Sequence, residues 1–95
     1  MAAIGVLTLE IRVEDSHSLK DKRHVVKSLK ERLRQKFNVS VAEIDCQDLW
    51  QRSVVAAVTV ASDHAYGERI LRAVEEEAAT LLGPQLAGAT VEWLA

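Results

Sequence analysis

The sequence predicts an α+β fold, a two-layer sandwich with the element order β-α-β-β-α-β. Three observations predict it. Residues 3–13 alternate with a period of two. Two longer segments, starting near Ser18 and near Ser62, repeat apolar residues at helical spacing. Three further short apolar runs, 39–45, 54–61 and 89–94, surround those segments.

The first strand is read from its alternation. Ala3, Gly5, Leu7, Leu9, Ile11 and Val13 share one face, and Ile4, Val6, Thr8, Glu10 and Arg12 the other. Glu14-Asp15-Ser16-His17 breaks the pattern. Ser18 followed by Asp21 is a helix-start signal close to a capping box. Leu19, Val26, Leu29, Leu33 and Phe37 then supply a buried side, and Asn38 a stop. Lys22 falls inside that apolar arc, where its stem is expected to pack and its head to reach water.

In the second strand Val39 and Val41 alternate, while Ile44 is out of phase, which places a bulge near Ala42-Glu43. Gln47 to Arg52 reads as a connection. The third strand, 54–61, carries small or apolar residues on both faces. Ser62 or Asp63 caps a second helix whose buried side is expected to use Tyr66, Ile70, Val74, Ala78 and Leu81. Gly83-Pro84 ends it, and Ala89 to Leu94 is the last strand.

Two βαβ crossovers joined through an antiparallel pair are the pattern of a ferredoxin-like sandwich, with both helices on one sheet face. The first and third strands should be central. The second sheet face is expected to carry Ile4, Val6 and Thr8 beside Val55, Ala57 and Thr59, or the opposite parity if the register slips. Such a patch is too apolar to leave in water, so the expectation is a homo-oligomer, most simply a dimer through this face. Neither central strand contains Phe, Tyr or Trp, which disfavours base stacking on the open sheet.

Ninety-five residues make one domain, 1–95, with a modest core. No apolar run is long enough to span a bilayer, and the N-terminus reads as a strand with no signal-peptide pattern. The lone Cys46 admits no internal disulfide and fits a reducing cytoplasm. Net charge is −2, which conceals an asymmetry. Residues 18–37 hold eight Lys/Arg against Asp21 and Glu31, a balance of +6, and the remainder holds four against twelve acids, a balance of −8.

Within the basic segment, Lys20, Arg23, Lys27, Lys30 and Arg34 recur at i, i+3, i+7, i+10 and i+14. On a helix these positions fall within an arc of about 80° and form a stripe about 21 Å long. Clustered cations are ordinarily a solvated face. Here few acids compensate them, and a line of unneutralised charge of this length suits a polyanion. His17 and Ser18, at the start of the helix, are candidates for an added anion contact, beside the plainer role of capping. Trp50, among polar neighbours and next to Arg52, is a candidate partner contact or a cover for the end of the core. The histidines lack metal-ligand spacing and the glycines are scattered, so no metal, cofactor or catalytic constellation is read from the chain.

Ser16-His17-Ser18-Leu19-Lys20-Asp21-Lys22-Arg23, Phe37-Asn38-Val39-Ser40-Val41-Ala42-Glu43 and Gln47-Asp48-Leu49-Trp50-Gln51-Arg52 together resemble the YlxP-like family of small bacterial proteins of unknown function. The resemblance implies a cytoplasmic protein of ferredoxin-like fold. Genes of the family often lie among those for translation initiation and ribosome maturation, which favours RNA or a ribosome-linked partner by association. The family offers no catalytic residue to carry over.

Two functional readings follow. In the first, the chain is a non-enzymatic RNA- or ribosome-associated module that binds phosphates along the basic helix. In the second, it is a homodimeric protein-interaction or small-ligand regulatory module that meets no nucleic acid.

Overall fold

A computed structural model describes residues 1–95. Strand β1 (Ala3–Arg12) leads into helix α1 (Leu19–Lys36), and strands β2 (Ser40–Asp45) and β3 (Arg52–Ala61) follow. Helix α2 (His64–Leu82), a 3-10 turn (Gly83–Gln85) and strand β4 (Leu86–Trp93) complete the chain. The strands form one sheet in the order β2-β3-β1-β4, every neighbouring pair antiparallel. This is the ferredoxin-like sandwich. No helix is long and apolar enough to cross a membrane.

The helix ends follow from local chemistry. Ser18 caps α1, its Oγ accepting from the Asp21 N–H at 3.1 Å. Asp63 caps α2 in the same way, accepting from the Tyr66 N–H at 2.8 Å. At the end of α2, Gly83 adopts φ 57°, a left-handed value that favours glycine, and Pro84 starts the 3-10 turn.

The core lies between the sheet and the two helices. Leu7, Leu9, Ile11, Val55 and Ala57 meet Val26, Leu29 and Leu33 of α1 and Leu71, Val74, Ala78 and Leu82 of α2. The buried line of α2 keeps Val74 and Ala78 as expected but uses Gly67, Leu71 and Leu82 in place of Tyr66, Ile70 and Leu81. Gly67, Leu71, Val74, Ala78 and Leu82 face inward, while Tyr66 and Leu81 are exposed. The reason is Trp93 of β4. A Cβ on Gly5 would stand 2.7 Å from its ring, and one on Gly67 3.1 Å. A side chain at position 5 would collide with that indole and one at position 67 would crowd it, so α2 meets the ring with Gly67.

The register places Ile4, Val6 and Thr8 opposite Val60, Val58 and Ala56. The open face therefore carries Val54, Ala56, Val58 and Val60 of β3, the opposite parity to Val55, Ala57 and Thr59, which are buried beneath the helices. The bulge in β2 falls one step later than expected. Glu43 pairs with Val55 and Asp45 with Val54, so Ile44 is the extra residue.

Candidate nucleic-acid interface

Helix α1 has three longitudinal sides. Its buried side is Lys22, Val26, Leu29 and Leu33. A second side faces α2, where Lys36 and Arg32 clasp Glu77 at 2.7 and 3.0 Å. The third side carries Lys20, Arg23, Lys27, Lys30 and Arg34, and it leans toward edge strand β2. Arg34 fixes that orientation, because its Nη2 donates to the Val41 carbonyl of β2 at 2.6 Å.

The predicted stripe thus exists as one surface. Its members differ in how free they are. Lys20, Arg23 and Lys27 are exposed, and Lys30 is half-buried. Lys20, Arg23 and Lys30 have no acid within 4.0 Å, and Lys27 stands 4.0 Å from Glu31, both side chains largely in solvent. A pair of that kind contributes little. Lys20, Arg23, His24 and Lys27, with Asp21, line a shallow depression of about 430 Å³. Arg34 is partly committed to its own strand.

At the start of α1 the N–H groups of His17, Asp21 and Lys22 are already bonded within the chain. The Ser18 hydroxyl serves the Asp21 N–H, and the Asp21 carboxylate accepts from the His17 N–H at 3.1 Å. An incoming anion would meet that carboxylate beside the exposed His17 ring.

Lys22 departs most from expectation. It is fully buried, head included. Its Nζ donates to Glu43 Oε2 at 3.0 Å, to the Cys46 carbonyl at 2.7 Å and to the Gln47 carbonyl at 3.1 Å. Three acceptors match its three donors, which is what makes burial of the ammonium tolerable. Ser53 completes the cluster by donating to the same Glu43 oxygen at 2.5 Å. The sequence held a signal for this: a lysine inside an apolar arc needs an acid, and Glu43 lies next to the irregular point of β2.

This cluster clamps the loop 46–51 from below. A second clamp holds its far end, where the Gln51 side chain donates to the carbonyls of Glu14 and Ser16 and the Gln51 carbonyl accepts from the Val13 N–H at 2.9 Å. The three stretches that carry the family resemblance are thus one physical unit. Trp50 rides on top of it and is 54% exposed, so it does not cover the core. Arg52 follows at the start of β3, exposed and directly opposite Arg12 of β1. Arg12 escaped the sequence reading. Its outward parity on the first strand was visible, but its pairing with another arginine depends on register.

Another concavity, of about 360 Å³, lies between α2 and β4 and is lined by Leu71, Val91 and Trp93 with Glu68, Arg72 and Glu75. Glu68 and Arg72 pair with each other there at 2.9 Å.

The chain is similar to known proteins in both sequence and shape. It is 41% identical over 71 residues to the uncharacterized protein YlxP of Bacillus subtilis (strain 168), an overlap of 75% of this chain and 77% of that one. In shape it matches the de novo designed protein Foldit4 with a TM-score of 0.60 at 14% identity, over 100% of this chain and 98% of that one. It also matches the de novo designed protein LFR1 1, which has a ferredoxin fold, with a TM-score of 0.50 at 14% identity, over 98% and 83% of the two chains. These structural likenesses bear on the fold alone. Residues 4–86 match the model of the protein family of unknown function DUF503, and the chain belongs to that family.

Proposed function

We propose that the chain is a non-enzymatic binding module that grips an RNA backbone on the outer side of α1. The observation that carries this reading is the freedom of Lys20, Arg23, Lys27 and Lys30. They share one side of a rigid helix, and the one ion pair among them is the solvent-exposed approach of Lys27 to Glu31 at 4.0 Å. Rigid, pre-aligned charge suits the regular phosphate repeat of a nucleic acid. Arg34 stands at the end of the row, with its guanidinium shared between strand and ligand. The open sheet has no aromatic residue on its central strands, so backbone contact from the helix, not base stacking on the sheet, is the mode proposed.

The protein is further proposed to act as a homodimer. Ile4, Val6, Val58 and Val60 form a contiguous apolar patch on the open face, with Val60 60% exposed. Covering it with a second copy removes that surface from water and displays two basic ridges on the outside of one assembly.

The test is RNA affinity at low salt for the wild type and for a Lys20→Glu/Lys27→Glu double variant. Both residues are exposed, and the one tie lost is the weak solvent-exposed approach of Lys27 to Glu31, so the variant should fold. The affinity is expected to fall at least tenfold. An unchanged affinity in the folded variant would end the proposal.

A further inference from the structure

A second cationic feature lies apart from the ridge, on the other layer of the sandwich. Arg12 and Arg52 are direct cross-strand partners at the end of the two central strands. Like charges set opposite one another in a sheet are destabilising. Yet neither guanidinium has an acid within 4.0 Å. Glu10, on the same face, lies over Gly88, with its Oε2 2.9 Å from where a Cβ of Gly88 would be, and Glu14 and Asp15 line a separate depression beside Arg12 without pairing with it. The two arginines share a concavity of about 340 Å³ with Glu10 and Ser53.

Arg52 also lines an adjoining concavity of about 400 Å³ with Leu49, Trp50 and Gln51. Arg52 thus borders two depressions, with Arg12 in one and the Trp50 ring in the other. The ring is held out by construction. The loop beneath it is clamped by Lys22 on the Cys46 and Gln47 carbonyls and by Gln51 on the Glu14 and Ser16 carbonyls. Cys46 sits at φ 62°, with its N–H bound by Asp45 at 2.8 Å. A tryptophan on so constrained a loop keeps its face available at little further entropic cost on binding.

We propose that Trp50, Arg52 and Arg12 form a nucleotide-binding site. The indole stacks the base, and the two guanidiniums hold the phosphate, neutralising charges that their own subunit leaves opposed. Planar guanidinium forks match phosphate oxygens, and stacking on indole tolerates any base. The site takes single-stranded nucleotides, since a base paired within a duplex does not offer its face. It is compatible with a dimer through the apolar patch. Arg12 stands six residues from Val6, about 20 Å along the strand, at the rim of the open face. The proposal does not rest on the basic helix.

A 5′-phosphorylated tri-adenylate is the probe, followed by calorimetry and tryptophan fluorescence on the full chain. Wild type is expected to bind it with quenched fluorescence, and at least tenfold more tightly than inorganic phosphate. Trp50→Ala and Arg12→Gln/Arg52→Gln should each lose at least tenfold in affinity. The double glutamine variant should melt no lower than wild type, because it relieves a repulsion. Trp50→Ala changes an exposed loop residue and keeps the test open if the arginine variant folds poorly. Arg69→Gln, at an exposed cation of α2 outside both surfaces, should retain the trinucleotide affinity within threefold, which separates a local site from general charge. The proposal is overturned by absence of trinucleotide binding, by phosphate binding as tightly, or by either site variant binding as wild type does. It is equally overturned if the arginine substitutions split a dimer while nucleotide binding persists.

Discussion

Lys22 is the residue on which the local architecture turns. Its ammonium bonds to Glu43 and to two loop carbonyls in full burial. Lys22→Ala would strand a largely buried carboxylate and leave both carbonyls without this donor. A broken buried pair costs about 3–5 kcal/mol, so a large loss of denaturation midpoint is expected. The loop should loosen with it, and faster hydrogen exchange at residues 46–51 would report that. A loss confined to a few tenths of a kcal/mol would contradict the role given to Lys22. The sequence showed that this lysine lay within the apolar arc but not what it would bond to. Its partners are a side chain and two carbonyls more than twenty residues away, and only the packing of α1 on β2 brings them within reach.

Glu77 makes a weaker, pH-sensitive tie. The hydrogen bond from Lys36, with the Lys36 charge and the Arg32 contact, outweighs partial desolvation and holds its carboxyl below the usual value of 4.5. The folded state therefore binds this proton less readily than the unfolded chain. The contribution is present above the ordinary carboxylate value and is lost as pH falls through the depressed one. Glu77→Gln is expected to lose stability less steeply than wild type below about pH 4.5. Parallel acid-unfolding curves for the two proteins would contradict the clasp.

At the scale of elements, the docking of β4 and α2 rests on one ring. Trp93 lies between Gly5 and Gly67 and against the His64 ring, with centroids 3.8 Å apart. Gly5→Ala would push a methyl to 2.7 Å from the indole and 2.8 Å from Leu71. Overpacking of this kind costs about 1–3 kcal/mol, and a lowered thermal midpoint is the expected readout. The helix periodicity of α2 was legible, and Val74 and Ala78 face inward as read, but both ends of the inward line fall one position later. Counting apolar residues favoured Tyr66 and Leu81, while the structure buries Gly67 because a neighbouring strand supplies the bulk. In contrast, both N-caps, the α2 stop at Gly83 and the strand order were readable, because capping and turn chemistry are written in consecutive residues. The side of α1 that carries the ridge was likewise legible from spacing alone. The tie of Arg34 to Val41 was not, since it depends on where β2 runs.

At the scale of the whole molecule, the basic ridge and the apolar patch lie on opposite layers, with Arg12 and Arg52 at the rim of the patch. The helix layer carries the ridge, and the open sheet layer carries Ile4, Val6, Val58 and Val60. The proposed dimer would use the sheet side of that division. Val60→Lys is expected to shift the sedimentation coefficient from dimer to monomer while leaving the far-ultraviolet spectrum unchanged. A monomeric wild type would contradict this element of the account. The remainder of the chain carries −8, which disfavours non-specific contact with a polyanion and favours approach along the basic ridge.

The most direct measurement is the dependence of RNA affinity on salt. Four free cations on α1 predict a slope of log K against log salt of about −3, flattened by about 1.5 in the Lys20→Glu/Lys27→Glu variant. A slope near zero, or one that the double substitution leaves unaltered, would contradict the claim that this helix exists to hold a phosphate backbone.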